Sequence, residues 1–450
     1  MLPVLRTIIT SAPKPKIYGA SWDKGNGSVL TRTDNAMSMV ANAGVDLNSV
    51  RNDFDYAEIF KDIREVTDSL GNVFVRIPKF YIRKIDTDNF KSWQVSRKKW
   101  GADWYLPWVF WDFTNLRELQ YYDHSKYVGS NENIGGTDRL RSVAGQYSLV
   151  SQNIVTMRTR ATNNNTGGLL GYQQLDIHAV DLLRTLFFIM FATIDRQSIM
   201  AGWTGGHYVA THVATVAETG VNRIIIANAF AALYAVGQPI SIGTSLGGNQ
   251  ICKDRDITAT DVYDASNKAI SFDGATVNIA IGNIIYNSGW KSGFSSGITA
   301  KNGSIGSNTT AKFPCVFLGI EIPFGNVWQF VDGLNINNNQ SWVCKNAASY
   351  ASNVFASPYE QLEYINANAN GYVNKTGYDG SFPFIEIPTE ITASLIKYKD
   401  YYYQALGQLI ASFDATWSFG SSVGLLCWRL SYSSAGAALV VGGRLLRKPL

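Results

Sequence analysis

The sequence predicts an α+β fold that is rich in strands. Three observations carry that reading. Short runs with period-two alternation recur, as in 71–83, where Val73, Val75 and Ile77 share one face and Phe74 and Arg76 the other. Only one long stretch, 175–198, has strong helical spacing, with Leu182, Leu186 and Ile189 on one side and Asp181, Arg184 and Asp195 on the wet side. Forty glycines, with many Asn, Ser and Thr, supply frequent turns. A hydrophobic content of 46% is enough for a core, and charged residues at 16% leave a mostly neutral polar surface.

Taken in order, residues 1–64 read as an N-terminal arm and attachment region. Pro13 and Pro15 lie in its first part, which has little core pattern. Within it, Asn52-Asp53-Phe54-Asp55 lacks the spacing of a calcium loop and reads as a capped turn before a short helix at 56–63. Residues 65–204 form the first half of a core, from the 71–83 strand to the 175–198 helix. Between these lies a run of rings, 100–122, including Trp100, Trp104, Trp108 and Trp111. It reads three ways: core, subunit interface or glycan groove. Residues 205–312 form a β-rich insert of the small-barrel kind, in which 293–307, rich in Gly and Ser, reads as a mobile loop. His207 and His212 flank a strand there, on opposite faces.

Residues 313–450 form the second half of the core. The apolar run 316–322 reads as one strand, stopped by Pro323, with Gly325-Asn326 turning through positive φ. A second strand, 327–331, ends at Asp332-Gly333. Pro388-Thr389 starts a short helix. Near the end, Leu426, Trp428 and Leu430 face the core, while Cys427, Arg429 and Ser431 look outward.

The segment Pro323-Phe324-Gly325-Asn326-Val327-Trp328-Gln329-Phe330-Val331 resembles the PxGNVWEW segment of the C-type-lectin-like fold. The branch it resembles holds formylglycine-generating proteins and phage tropism determinants varied by retroelements. The closing part agrees: Gly420-Ser421-Ser422-Val423-Gly424, then Ser433-Ser434, then Gly442-Gly443-Arg444-Leu445, is similar to the family's Gly-rich loop, core strand and final strand near GFR. The resemblance spans roughly residues 17–450. It implies a C-type-lectin-like core, interrupted by the β-rich insert and preceded by the attachment region.

Composition and motifs exclude several chemistries. A net charge of +4 without a Lys/Arg stripe gives no case for nucleic acid. The longest apolar helical run, 186–192, is far short of the roughly 18 residues of a membrane span. The N-terminus has no signal-peptide order, so the chain reads as made in a cytoplasm. Cys252, Cys315, Cys344 and Cys427 are widely spaced, without CxxC, and read as buried free thiols. HExxH, Walker and GxGxxG patterns are missing. GxSxG occurs around Ser245, Ser295 and Ser422, but all four histidines precede Ser245, against the order of the hydrolases that use that elbow. Asp53/Asp55 and Glu321/Asp332 are carboxylate pairs a glycan hydrolase could use, with capping and salt pairing as the plainer reading. Formylglycine-type oxidases need two cysteines near the C-terminal part, where only Cys427 lies, and Gln329 replaces their Glu. The EPN, QPD and WND tripeptides of calcium-dependent lectins do not occur. No catalytic residue, metal site or cofactor is therefore expected.

What the resemblance implies is a display surface: a rigid core that holds the last loop and strands out to a ligand. The matching positions are Asp414, Ser418, Phe419, Ser421, Arg429, Ser431 and Tyr432. Tyr432 shares parity with the core face and is outward only if its strand stops before it. The expectation is a receptor-binding protein of a phage tail tip or tail fibre, a homotrimer in the virion. It would recognise a bacterial surface glycan or protein, and attach to other tail or baseplate proteins through its N-terminal region. The alternatives are a structural baseplate or capsid-decoration protein, a formylglycine-type oxidase, or a glycan hydrolase.

Overall fold

A helix of 15 residues, Ile177–Phe191, is buried along its whole length, and the strands pack around it. The computed structural model describes residues 16–45, 50–307, 309–394 and 397–450. Asp176 caps the helix: its Oδ1 accepts from the Ala179 N–H at 2.9 Å. Ala192 ends it in the left-handed region, φ 53°. The helix is shorter than the sequence suggests, and its expected wet side is dry. Asp181 and Arg184 are buried and paired at 3.0 Å, and Arg184 Nη1 donates to Glu386 O at 3.1 Å. Beyond them lies a buried charge cluster in which Glu386 pairs with Lys84 and Lys91 and accepts from Trp93 Nε1. Those two cations hold the Glu386 carboxyl well below its ordinary range despite burial. Asp195 is buried as well and meets Lys399 at 2.6 Å.

Strands dominate, as expected. One four-stranded sheet runs in the order Thr31–Asp34, Ile17–Asp23, Phe90–Ser96, Tyr81–Asp86. Ile17–Asp23 is thus part of the main body, and Tyr18, Ala20 and Trp22 join its core. Phe54, Ile59, Phe60 and Ile63 join the same core, so these parts of the expected N-terminal region are built into the fold; its residues 1–15 lie outside the described residues. The turn at Asn52 is capped as expected, Oδ1 accepting from the Phe54 N–H, but short 3-10 turns replace the helix. A five-stranded sheet runs Tyr172–Gln174, Leu445–Arg447, Tyr121–Ser125, Val73–Pro78, Arg64–Thr67. The last strand of the chain therefore sits between two strands of its first half.

The insert has its own apolar cluster, with Ile224, Ile226, Ile240, Ile242, Ile270 and Ile285 at its centre. Its sheet runs Arg223–Ala227, Asn267–Phe272, Gly248–Val262, Pro239–Ser245, Ile284–Asn287. Val213 bridges to Ile284 and Ala214 to Ile226, so one short segment joins both edges into a ring. His207 and His212 do not flank a strand on opposite faces: their rings stand 5.4 Å apart, and His212 Nδ1 meets Tyr234 Oη at 2.9 Å. The Gly/Ser stretch is packed, not loose. Glu321 fixes its start by accepting from the N–H groups of Gly293 (2.8 Å) and Ser295 (2.6 Å), and Gly303–Ser304 pairs with two other strands.

The 316–322 run folds as a hairpin in place of one strand. Cys315–Phe317 pairs with Ile320–Glu321 around Leu318 and Gly319, both at positive φ (52° and 83°), the type I′ signature. The Gly325-Asn326 turn has positive φ at both residues, as expected (81° and 82°). The following strand, Trp328–Asn337, does not stop at Asp332-Gly333: it bulges there, with Gly333 at φ 76°, and continues. It lies inside the largest sheet, whose order is Tyr359–Ile365, Gln340–Cys344, Trp328–Asn337, Gln408–Phe413, Trp428–Tyr432, Tyr401–Gln404, Gly371–Thr376, Pro388–Thr392. Pro388 opens this last strand, not a helix; the first strand position needs no N–H from it.

Candidate functional site

The Trp428–Tyr432 strand sits between Tyr401–Gln404, which runs parallel to it, and Gln408–Phe413, which runs antiparallel. Alternation divides it. Trp428 and Leu430 point into the main core, as the sequence pattern requires. Arg429 and Ser431 point to the other face, where Tyr403 is the direct neighbour of Arg429. Two of the three residues 428–430 are thus spent on packing, and the third stands at a partly open surface.

That surface is lined with rings. Tyr372 and Tyr401 are 5.1 Å apart, Tyr401 and Tyr403 4.7 Å, Tyr403 and Phe419 5.7 Å, and Phe419 and Trp328 5.6 Å. Trp328 is buried; the other four are half-buried. The Arg429 guanidinium lies 4.2 Å from the Tyr432 ring centroid, 5.8 Å from Trp328 and 5.9 Å from Tyr403, and its Nε donates to Ser431 Oγ at 3.1 Å.

The loop over this face is held by groups outside it. Gln197 Nε2 donates to the carbonyls of Gly420 (3.0 Å) and Val423 (2.6 Å), and Arg196 Nη2 to Val423 O (3.1 Å). Asp400 Oδ2 accepts from the Leu426 N–H at 2.6 Å, and Thr204 O from the Gly420 N–H at 2.8 Å. Each bond is to backbone, so the loop's path depends little on its own side chains.

The seven sequence-derived positions divide unequally. Phe419, Arg429, Ser431 and Tyr432 come together around the rings. Ser421 is exposed on the 3-10 turn Gly420–Ser422, and Ser418 is half-buried, its Oγ 3.2 Å from Thr416 Oγ1. Asp414 is a correction. It is fully buried, because the strand ends at Phe413 and Asp414 turns inward at φ 71° beside Arg196. Burial pushes its carboxyl up to about 7. Cys427 is likewise inside, with Trp328, Phe330 and Ile410, and burial pushes its thiol well up. Tyr432 reaches the Arg429 side through a bulge: Ile410 pairs with Tyr432 and Ser412 with Arg429, so two residues, Leu430 and Ser431, oppose one, Ala411, and the parity shifts. Tyr372, Tyr401 and Tyr403 were not singled out by sequence. The Tyr401-Tyr402-Tyr403 triplet was the available signal, since alternation sends its outer members one way and Tyr402 to the core.

Three of the four carboxylates singled out by sequence have partners of their own. Glu321 is engaged by the Gly293 and Ser295 amides, and Asp332 is buried against Arg158. Asp53 pairs with Arg51 at 3.0 Å. All four cysteines are buried and unbridged. Among the described residues, no group of three His, Cys, Asp or Glu is placed to hold a metal ion, and no helix is long and apolar enough to cross a membrane. The ring-rich 100–122 stretch is core in part and open in part. Trp104, Phe110 and Tyr122 are core, while Tyr105, Trp108 and Trp111 line an open groove of about 460 Å³ with Tyr81 and Phe384.

No protein-family model matches the chain, and no curated protein matches it.

Proposed function

We propose that this chain is a receptor-binding protein of a phage tail tip or tail fibre, with a C-type-lectin-like core that presents the Arg429 face to a bacterial surface glycan or protein. The observation that carries the reading is the face itself: half-buried rings around an arginine, under a loop whose backbone is tied from outside. Such a surface offers large, stiff contact area, and its residues can change at little expense to the fold. The lectin-like reading is supported by how the two resembling segments meet. Trp328 and Gln329 pair in parallel with Val441 and Gly442. Gln329 Oε1 accepts from the Nε of the buried Arg444 at 2.8 Å. In this reading the assembly is a homotrimer within the virion, joined to tail or baseplate proteins through its N-terminal region, and trimeric display multiplies a weak single-site affinity.

Adsorption tests the proposal. Purified protein should compete with virions for the bacterium they infect, and Arg429→Ala combined with Tyr432→Ala should abolish that competition while leaving the unfolding midpoint near wild type. Unchanged competition would favour a structural baseplate or decoration role.

A further inference from the structure

The proposed face has a charge that the protein does not balance. Most arginines at or near the surface meet a carboxylate: Arg76 with Asp123, Arg97 with Asp62, Arg158 with Asp332, Arg223 with Glu218. Among the described residues, Arg429 has no such partner; the one hydrogen bond its guanidinium makes to them is from Nε to the neutral Ser431 hydroxyl. The acid nearest along its face in sequence, Asp414, is turned inward beside Arg196. Rings of Tyr432, Trp328 and Tyr403 surround the guanidinium. They flank it, while its two Nη groups have no protein acceptor among these residues and stay open to solvent. A guanidinium in that state is a planar, two-toothed donor for carboxylate or phosphate, and its pairing is stronger than in bulk water.

The surroundings specify the rest of the ligand. Tyr401 and Tyr403, with Tyr372 and Phe419 at either end, form a row of half-buried rings leading up to Arg429. Aromatic faces take the apolar faces of sugar rings, and the tyrosine and serine hydroxyls at the edges take sugar hydroxyls. Resting on the adhesin reading above, we infer that this face binds an acidic glycan, with a carboxylate or phosphate on Arg429 and the adjoining sugar rings on Tyr401 and Tyr403.

The full chain can be titrated with oligogalacturonate, with the same oligomers as methyl esters, and with glycosylated poly(glycerol phosphate). The inference expects at least one acidic polymer to bind, binding of the uronate to fall about tenfold or more on esterification, and binding to weaken with added salt. Which polymer binds more tightly separates carboxylate from phosphate as the source of charge. Arg429→Gln should lose the acid preference, and Arg429→Lys should keep part of it. Equal binding of acid and ester, wild-type binding by Arg429→Gln, or no binding of either acidic polymer overturns the inference. Tyr403→Ala separates the two levels of failure. If it abolishes adsorption to cells while charge proves irrelevant, only the acidic class falls; if adsorption is untouched, the adhesin reading falls with it.

Discussion

Gly424 is where the loop over the aromatic face is most vulnerable. A Cβ there would stand 1.5 Å from Asp400 Oδ1 and 2.2 Å from its Cγ. The carboxyl has little room to retreat, being buried, with Oδ2 accepting from the Leu426 N–H at 2.6 Å. Gly424→Ala must displace either Asp400 or the loop. Overpacking costs about 1–3 kcal/mol, and a buried N–H left without its acceptor about 1–3 kcal/mol more. The expected loss is therefore about 4 kcal/mol. Asp400→Ala alone costs only the second part, about 1–3 kcal/mol. In the double variant the new methyl occupies space that the carboxyl has left. It should then match Asp400→Ala to within about 1 kcal/mol, a coupling of about 3 kcal/mol where independent sites give none. Urea unfolding followed by tryptophan fluorescence measures all four proteins, and adsorption is read on the same preparations. Gly424→Ala should also weaken adsorption, although neither residue lies on the face. Additive penalties, or a Gly424→Ala protein within about 1 kcal/mol of wild type, would refute this account of how the loop is held.

Arg444 donates to Gln329 Oε1 and to the carbonyls of Ser125, Glu321 and Ile322, so Arg444→Met strands several buried acceptors and should cost about 3–5 kcal/mol in urea unfolding; a loss below about 1 kcal/mol would contradict that role. Burial raises Asp400 to about 8 and Asp414 to about 7. Acids raised in the folded state favour it fully below their unfolded range near pH 4, and the advantage drains away as pH climbs through 7 to 8. Asp400→Asn should therefore gain on wild type between pH 5 and 9, by more than about 1 kcal/mol, and parallel stability curves would show the reverse. Burial lowers His124 to about 3 and His178 to about 4. Both stabilise the fold above pH about 6.5 and lose that contribution as pH falls through these values, so acid unfolding should begin earlier than in a His178→Gln variant. A thiol reagent should leave all four cysteines unmodified in native protein and react with all four after unfolding.

Much of this arrangement could be read from local pattern. Helical spacing located the buried helix, period-two alternation placed Trp428 and Leu430 inward, and turn chemistry located Gly325-Asn326. What escaped depends on partners far away in sequence. Arg184 looked solvent-facing because its neighbours Glu386 and Trp428 lie some two hundred residues on. The 316–322 run looked like one strand because Leu318 adopts a positive φ that its side chain disfavours. Asp414 and Tyr432 were placed outward by the resemblance; a left-handed turn takes Asp414 inside, and a bulge, which strict alternation does not foresee, carries Tyr432 to the Arg429 side. Tyr401 and Tyr403 join Arg429 only through a parallel register, which no local signal specifies.

The strand Leu445–Arg447 has a consequence for biosynthesis. It pairs with Tyr121–Ser125 and Tyr172–Gln174, more than two hundred and fifty positions earlier. Until the ribosome releases that stretch, those two early strands lack the neighbour that completes their ladder. The five-stranded sheet of the insert, whose strands pair only with one another, can finish folding while it waits. Maturation should then be slow and late, with unfinished strand edges exposed to chaperones during translation and to mispairing wherever copies are made close together.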